Sequence, residues 1–309
     1  MKILVTGGAG FIGSHVVDAY LAAGHEVVVV DNLTTGLREN LNPAARFYQA
    51  DVTDAERMTE IALAEKPDVV NHHAAQVNIR LSVANPVFDT QVNVVGTVAV
   101  LEAAAKANAK KFIFISSGGA VYGEAPVIPT PEDVPPRPIS HYGAAKLAGE
   151  QYCHVYHVTT GLDYTILRYS NVYGPRQNPD GEAGVTSIFT HKLLRGEQPT
   201  IFGDGSKTRD YVHVHDVAAA NLLALHRGSL GVFNIGTGRR ITDQEVFEAI
   251  ARVVGYKGRP AYEDFRPGEV MHSCLDCTRA CEVLGWRPTI SFEEGVASVV
   301  EHSRRNLAR

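Results

Sequence analysis

Thr6-Gly7-Gly8-Ala9-Gly10-Phe11-Ile12-Gly13-Ser14 is the stretch that decides the fold. It follows Ile3-Leu4-Val5-Thr6, a short run with β-branched residues. It leads into an apolar-periodic helix predicted through His15 to Ala23. The glycines fit Gly-x-Gly-x-x-Gly from Gly8 and Gly-x-x-Gly-x-x-Gly from Gly7. Such a match is weak alone and gains meaning from the strand before it and the helix after it. Gly10 lets the backbone approach a pyrophosphate, and Gly13 lets the helix pack close to the sheet. The helix N-terminus, at Phe11 and Ile12, turns free N–H groups and a positive dipole end toward the anion. Asp31 lies 18 residues beyond Gly13, at the end of the next strand, with Asn32 beside it. A carboxylate there accepts hydrogen bonds from an adenosine ribose and repels a 2′-phosphate, which favours NAD over NADP. Arg38 is a nearby basic residue of the kind that accommodates that phosphate. A plain glycine turn before a helix is the bland alternative; strand, helix and acid together argue against it.

The alternation continues outward. Strands are predicted at Val27 to Val30, Arg46 to Ala50, Val69 to His73, Lys111 to Ser116 and Leu162 to Arg168. Helices are predicted at Glu56 to Lys66 and in the alanine-rich stretch Asn93 to Asn108. Apolar strand runs spaced by helices imply a doubly wound parallel sheet covered on both faces, an α/β fold of Rossmann-like type. After Asn171 the pattern loosens. Residues 174–181 read as loop, Ile188 to Arg195 as helix, Phe202 to Tyr211 as a hairpin-like polar turn, Val232 to Gly238 as strand and Asp243 to Val254 as helix. The expected division is a cofactor domain over residues 1–171, with returns at 212–238, and a smaller C-terminal α/β substrate domain over 172–309. The two have an interleaved boundary.

The chain has 309 residues and a formal net charge of -5, which gives no electrostatic case for nucleic acid or an anionic membrane as partner. No apolar run approaches the about 20 residues that span a bilayer. Met1 to Thr6 enters a strand at once and lacks the features of a signal peptide, so a cytoplasmic location is expected. Four cysteines are present, and Cys274, Cys277 and Cys281 cluster. A Cys-x-x-Cys pair suggests zinc or redox chemistry, but no second pair completes a structural zinc site. Reduced thiols and no metal are expected.

Tyr142 and Lys146 stand four residues apart in His141-Tyr142-Gly143-Ala144-Ala145-Lys146. On a helix they share one face, one turn apart. A free tyrosine, with pKa about 10, is a poor base at neutral pH. An ammonium beneath the phenol favours phenolate and is expected to lower that pKa, suiting the tyrosine to take a proton from an alcohol.

With the glycine-rich turn, this Tyr-x-x-x-Lys resembles the extended short-chain dehydrogenase/reductase superfamily, and its NAD-dependent epimerase/dehydratase family. Further matches run nearly end to end. They include Asp51-Val52, His73-Ala74-Ala75, Ser116-Ser117, Val121-Tyr122-Gly123 and Arg168-Tyr169-Ser170-Asn171-Val172-Tyr173-Gly174-Pro175. Phe202-Gly203-Asp204-Gly205, Arg209-Asp210-Tyr211-Val212-His213, Asn234-Ile235-Gly236, Arg266-Pro267-Gly268-Glu269 and Leu284-Gly285-Trp286-x-Pro288 extend them. Within the family the chain is most similar to the UDP-glucose 4-epimerases. The resemblance implies Asp51 and Val52 at the adenine, and Ala74, Ala75 and Asn93 along the cofactor channel. It places Tyr142 and Lys146 at the nicotinamide end and counts Tyr169 among the cofactor-binding residues. It implies a UDP-sugar substrate held by Asn171, Phe202, Arg209, Tyr211, Arg266 and Glu269. The implied reaction is 4-epimerisation through a 4-keto sugar, with Tyr142 as base.

Two departures matter. The family's Ser or Thr three positions before Val-Tyr-Gly is Gly118 here, so Ser117, or less favourably Ser116, is the candidate replacement hydroxyl. Ser116-Ser117 merely ending a strand is the competing reading. The related 4,6-dehydratases carry an Asp-Glu pair where this chain has Gly119-Ala120, which disfavours dehydration. Another nucleotide-sugar epimerase, reductase or dehydratase, acting on UDP-glucuronate or a dTDP-sugar, stays open, as does a non-catalytic NAD-binding regulator. Ser273 falls beside the sugar's 2-substituent in the resemblance and leaves room for an N-acetyl group. Relatives pair through two helices, so a homodimer is expected.

Overall fold

The structure, a computed structural model, describes residues 1–179, 184–265 and 270–307. Seven parallel strands form its main sheet: β1 (Lys2–Thr6), β2 (Glu26–Asp31), β3 (Arg46–Gln49), β4 (Val69–His72), β5 (Lys111–Ser117), β6 (Asp163–Tyr169) and β7 (Gly231–Ile235). Their spatial order is β7-β6-β5-β4-β1-β2-β3. The order reverses between β1 and β4, which pair from Ile3 with Val69 to Thr6 with His72. A crevice opens beyond the C-terminal ends of strands at such a switch point.

The inner strands are largely apolar because both of their faces are covered. Alternate residues Ile3, Val5, Val27, Val29, Ile113, Ile115, Leu167 and Tyr169 pack with Val16, Val17, Val217 and Ala220. These come from α1 (Phe11–Ala22) and, further along the chain, from the helix Val214–Ala224. The intervening Leu4, Val28, Val30, Val70, Phe112, Phe114 and Ile166 pack on the other side with Met58, Ile61, Val100, Leu101 and Cys153. Those belong to α2 (Ala55–Glu65), α3 (Gly96–Lys106) and α4 (His141–Thr160). Each such side chain, fully buried, contributes about 1.5–3 kcal/mol. Asp54 caps α2 by accepting from the Arg57 amide at 3.0 Å, and Ser140 caps α4 by accepting from the Gly143 amide at 3.1 Å. Caps of this type are worth about 1 kcal/mol.

The remaining elements include α5 (Val185–Leu194), α6 (Val214–Ala224), α7 (Asp243–Val254), α8 (Phe292–Leu307), short helices and short strand pairs. Phe189, Leu193, Val246, Phe247, Ile250, Phe292 and Val296 make a separate core with Tyr173 and Tyr211. The stretch expected to form a hairpin-like turn does not pair with itself. Thr200–Phe202 pairs in parallel with Ala261–Glu263, and Thr208–Arg209 pairs antiparallel with Ile241–Thr242. Tyr211–His213 pairs with Asn171–Tyr173 rather than joining the main sheet, while Gly231–Ile235 takes the sheet's edge beside β6. Among the described residues, no helix is long and apolar enough to cross a membrane.

Candidate active site

The glycine turn sits at the switch point. Gly7 has φ of 71°, and a Cβ on it would lie 2.6 Å from the Ala74 nitrogen. A Cβ on Gly13 would collide with the Gly7 carbonyl. Only glycine allows this turn to close so tightly, with α1 starting directly above it. Gly10 caps α1 in extended conformation and no side chain caps the helix, so Phe11 and Ile12 open a first turn suited to an anion. This cradle fits a dinucleotide pyrophosphate.

The adenosine side fits as well. The Asp31 carboxylate accepts from the Ala9 amide at 3.0 Å and the Leu33 amide at 2.8 Å, and its oxygens retain lone pairs for ribose hydroxyls. Burial raises its pKa, and those two amides oppose the rise. Asn32 donates to Asp51 at 2.8 Å. Partial burial works against the Asp51 charge, but hydrogen bonds from Thr53 and Asn32 outweigh it and leave the pKa lowered. Val52 is buried against Gly96 at the start of α3. Arg38 is turned to other partners, donating to Gln49 at 3.2 Å and lying over the Phe47 ring.

The channel continues past Ala74, whose amide donates to the Thr6 hydroxyl at 3.2 Å, and Ala75, both half-buried. Asn93 is buried and points inward. Its amide group bridges the backbone of Gln76 in both directions, at 2.9 and 2.8 Å, and also donates to Asp89 at 3.1 Å. It therefore shapes the turn after Ala75 rather than presenting a free side chain.

Tyr142 and Lys146 lie in the first turns of α4, against the end of β5. The Lys146 ammonium is buried, donates to the Ile115 carbonyl at 3.0 Å and lies 5.8 Å from the centre of the Tyr142 ring. Burial pulls its pKa down to about 8, against the opposing charges of Asp89 and Glu150. Lys146 was expected to lower the phenol's pKa; the structure differs. Burial and then the Asp89 charge hold Tyr142 well above the ordinary tyrosine value, and the group that draws it down is the nearby Ser117 hydroxyl. Desolvation of a phenolate outweighs one neighbouring cation that is itself poorly solvated.

Ser117 thus meets Tyr142, while Ser116 turns away and donates to Glu150 at 2.5 Å. A Cβ at Gly118 would lie 2.6 Å from Leu275 Cδ1, so Leu275 fills the place of the side chain that the family pattern has there. Glu150, one turn beyond Lys146, takes two hydrogen bonds from Arg168 at 2.9 and 2.5 Å, with both side chains buried. Arg168 also donates to the Tyr122 hydroxyl at 2.8 Å, which donates to Asn234 at 3.0 Å. Asn234 in turn donates to the Thr130 and Asp276 carbonyls, tying the strap around Leu275 to β7.

On the substrate side, Asn171 lies near Gly119, where a Cβ would be 3.8 Å from the Asn171 amide oxygen. Arg209 donates to the Thr208 and Met271 carbonyls at 2.8 and 3.3 Å, and the Ser273 amide donates to the Thr208 carbonyl at 3.2 Å. The strand pairing Phe202 with Glu263 borders a cleft lined by Gly203, Asp204, Tyr262 and Phe265. Two expected contacts are corrected. The Tyr169 side chain is buried on the far face of the sheet, where its hydroxyl accepts from Asn221 at 2.6 Å. The Tyr211 ring is buried against Tyr173 and Phe292, with ring centres 6.1 and 5.5 Å away. Strand alternation sends both side chains into the core. Arg266 and Glu269 lie outside the described residues. Among the described residues, no group of three His, Cys, Asp or Glu is arranged to hold a metal; burial pushes the Cys274 thiol up to about 12 and Cys277 higher still.

Reading the sequence missed Gln76, Asp89 and the Glu150–Arg168 pair. The one available signal was spacing: Asp89 precedes Asn93, and Lys146 precedes Glu150, by one helical turn.

Comparison with known proteins gives the arrangement its context. The NAD dependent epimerase/dehydratase family model matches residues 3–236. A putative UDP-glucose 4-epimerase of Methanocaldococcus jannaschii is 48% identical over 304 residues, covering 98% of this chain and 99% of that protein. The crystal structure of Thermotoga maritima UDP-glucose 4-epimerase with UDP-glucose superposes with a TM-score of 0.98 at 51% identity, covering 99% of this chain and 100% of the other. The Thermus thermophilus UDP-glucose 4-epimerase in complex with NAD superposes with a TM-score of 0.93 at 44% identity, covering 98% and 99%. A family match over most of the chain, a near-full-length relative and a glycine cradle built for a dinucleotide agree: the chain belongs to the NAD dependent epimerase/dehydratase family.

Proposed function

We propose that the protein is a UDP-hexose 4-epimerase that interconverts UDP-glucose and UDP-galactose, working in the cytoplasm as a homodimer with NAD held throughout. The observation that carries this reading is the grouping of Tyr142, Lys146 and Ser117 at the end of β5, alongside the glycine cradle. NAD, when bound, supplies the acceptor that takes hydride from the sugar's C4 and returns it. The Tyr142 oxygen takes the proton of the 4-hydroxyl and gives it back on the opposite face. Lys146 keeps a positive charge beneath that oxygen, and the Ser117 hydroxyl shares its proton. Asn171, Arg209 and the backbone near Phe202 hold the nucleotide diphosphate while the keto-sugar turns; the planar fork of arginine suits the diphosphate. Gly119-Ala120 provide no carboxyl groups for elimination, which disfavours a dehydratase.

Half-burial of Ser273 beside the Thr208–Arg209 strand supports room for a 2-N-acetyl group, so UDP-GlcNAc and UDP-GalNAc are included as substrates. Support for the dimer comes from exposed apolar side chains along one side. Val87 is 73% exposed, Val95 50%, Val155 48% and Val158 68%, from the turn of helix Pro86–Thr90, the turn after it and the outer face of α4. An apolar patch of that kind marks an interface. The deciding experiment incubates purified protein with UDP-galactose, adds no cofactor and separates the sugar products. UDP-glucose with bound NAD retained is the expected result; no conversion, even with NAD added, would remove the substrate assignment.

A further inference from the structure

Asp89 carries no role in the chemistry described so far, yet it is fully buried beside it. It lies in the short helix Pro86–Thr90, which packs against α4. Its Oδ1 accepts from Gln76 Nε2 at 2.8 Å and from Asn93 Nδ2 at 3.1 Å. Its Oδ2 is buried with no hydrogen-bond partner among the described residues. A buried carboxylate left half-satisfied costs several kcal/mol unless it neutralises or faces a cation. Two cations act on Asp89, first His141, which is exposed, and then Lys146, which is buried with it.

The other titratable groups around this pair are already occupied, neutral or exposed to solvent. Glu150 on α4 is committed to Arg168 and Ser116. His72 is held between the Thr6 and Thr97 hydroxyls, and burial lowers its pKa; His73 is lowered to about 3, so both rings at the end of β4 are neutral. Glu102 on α3 is taken by Tyr156 and Lys106, and Arg80 and His141 are exposed. Asp89 is the carboxylate left to balance the buried ammonium.

We infer that Asp89 is a positioning residue for the reaction, its buried carboxylate holding Lys146 as an ammonium beneath Tyr142 while its hydrogen bonds to Gln76 and Asn93 set the cofactor-channel turn. It acts through charge, since no hydrogen bond joins it to Lys146. The inference rests on Tyr142 being the base. It gives the site a trade-off: the same anion that keeps Lys146 charged also raises the energy of a phenolate at Tyr142.

The test is Asp89→Asn, which preserves the acceptor toward Gln76 and Asn93 and removes the charge. Both limbs of the kcat–pH profile are expected to move to lower pH by about one unit, because Tyr142 and Lys146 each lose their proton more easily without the anion. A purely structural role would lower kcat or raise KM without displacing the limbs. A second readout needs no turnover: the pH titration of Lys146, followed by NMR of the protein with ¹³C-dimethylated lysines and assigned by its loss in Lys146→Met. Its midpoint is expected below that of the wild type. Should the amide impair folding, Asp89→Leu removes the charge at similar volume and serves the same titration. Wild-type inactivity on UDP-galactose would end the epimerase reading while leaving the Lys146 titration to decide the role of Asp89. An unmoved Lys146 midpoint, or superimposable pH profiles in an active variant, would overturn it.

Discussion

The Lys146 ammonium lies 5.8 Å from the centre of the Tyr142 ring and is anchored there by the Ile115 carbonyl at 3.0 Å. The lysine is therefore fixed by the sheet and not by the tyrosine, which leaves the phenol free to meet Ser117 and a substrate hydroxyl.

Burial draws the Lys146 pKa down to about 8, so its proton is expected to leave at mildly alkaline pH. A depressed lysine pKa means the ammonium is fully present below about 8 and lost as pH rises through it. Turnover is expected to fall above that pH as the positive charge under Tyr142 disappears. Tyr142→Phe is expected to cut kcat by at least about 100-fold at every pH while bound NAD remains. Product analysis across pH 6 to about 10, with cofactor absorbance read alongside, checks both.

The hydroxyl at Ser117 and the leucine at 275 act as a linked pair. Ser117→Ala is expected to lower kcat by about 10-fold. Gly118→Ser alone is not expected to restore it, because its Cβ would lie 2.6 Å from Leu275 Cδ1. That overpacking costs about 1–3 kcal/mol and shows as a lowered thermal midpoint. Leu275→Ala added to Ser117→Ala/Gly118→Ser is expected to recover turnover. Kinetics of the triple variant decide it.

The buried Glu150–Arg168 pair is expected to be costly to break from one side. Arg168→Met leaves the Glu150 carboxylate buried and unpaired and should cost about 3–5 kcal/mol. The double variant Glu150→Leu/Arg168→Met recovers part of that. Denaturant unfolding of the two variants supplies the comparison.

Sugar choice is expected to depend on Ser273. Ser273→Tyr is expected to abolish conversion of UDP-GlcNAc and spare UDP-glucose, a discrimination made by sterics. Equal activity on both sugars in side-by-side assays would show that this position does not set the limit.

The exposed face of the Pro86–Thr90 turn and α4 is the expected dimer contact. Val87→Asp with Val158→Asp places charges on it and should give monomers at micromolar concentration with the fold intact. Light scattering with circular dichroism tests this.

The spacing of Gly7, Gly10 and Gly13 between a strand and a helix fixed the cofactor cradle, because the constraints there are local. Carbonyls and Cβ positions a few residues apart either fit or clash. The same holds for Asp31 at the end of its strand and for Tyr142 and Lys146 one helical turn apart. The polar segment around Phe202 to Tyr211 misled, since its strands found partners at Ala261–Glu263 and Ile241–Thr242, far along the chain. Tyr169 and Tyr211 were placed at the site by motif, whereas strand alternation buries both side chains.

By itself, then, the sequence determined the doubly wound sheet, the dinucleotide turn and the placing of Tyr142 and Lys146 as a pair one helical turn apart, all set by short-range periodicity and sterics. Only the tertiary structure decided the charges on that pair. Desolvation and Coulomb energy sum over every group packed nearby, whatever its place in the chain. Asp89 reaches Tyr142 from 53 positions upstream, and Leu275 closes on Gly118 from the opposite end of the sequence.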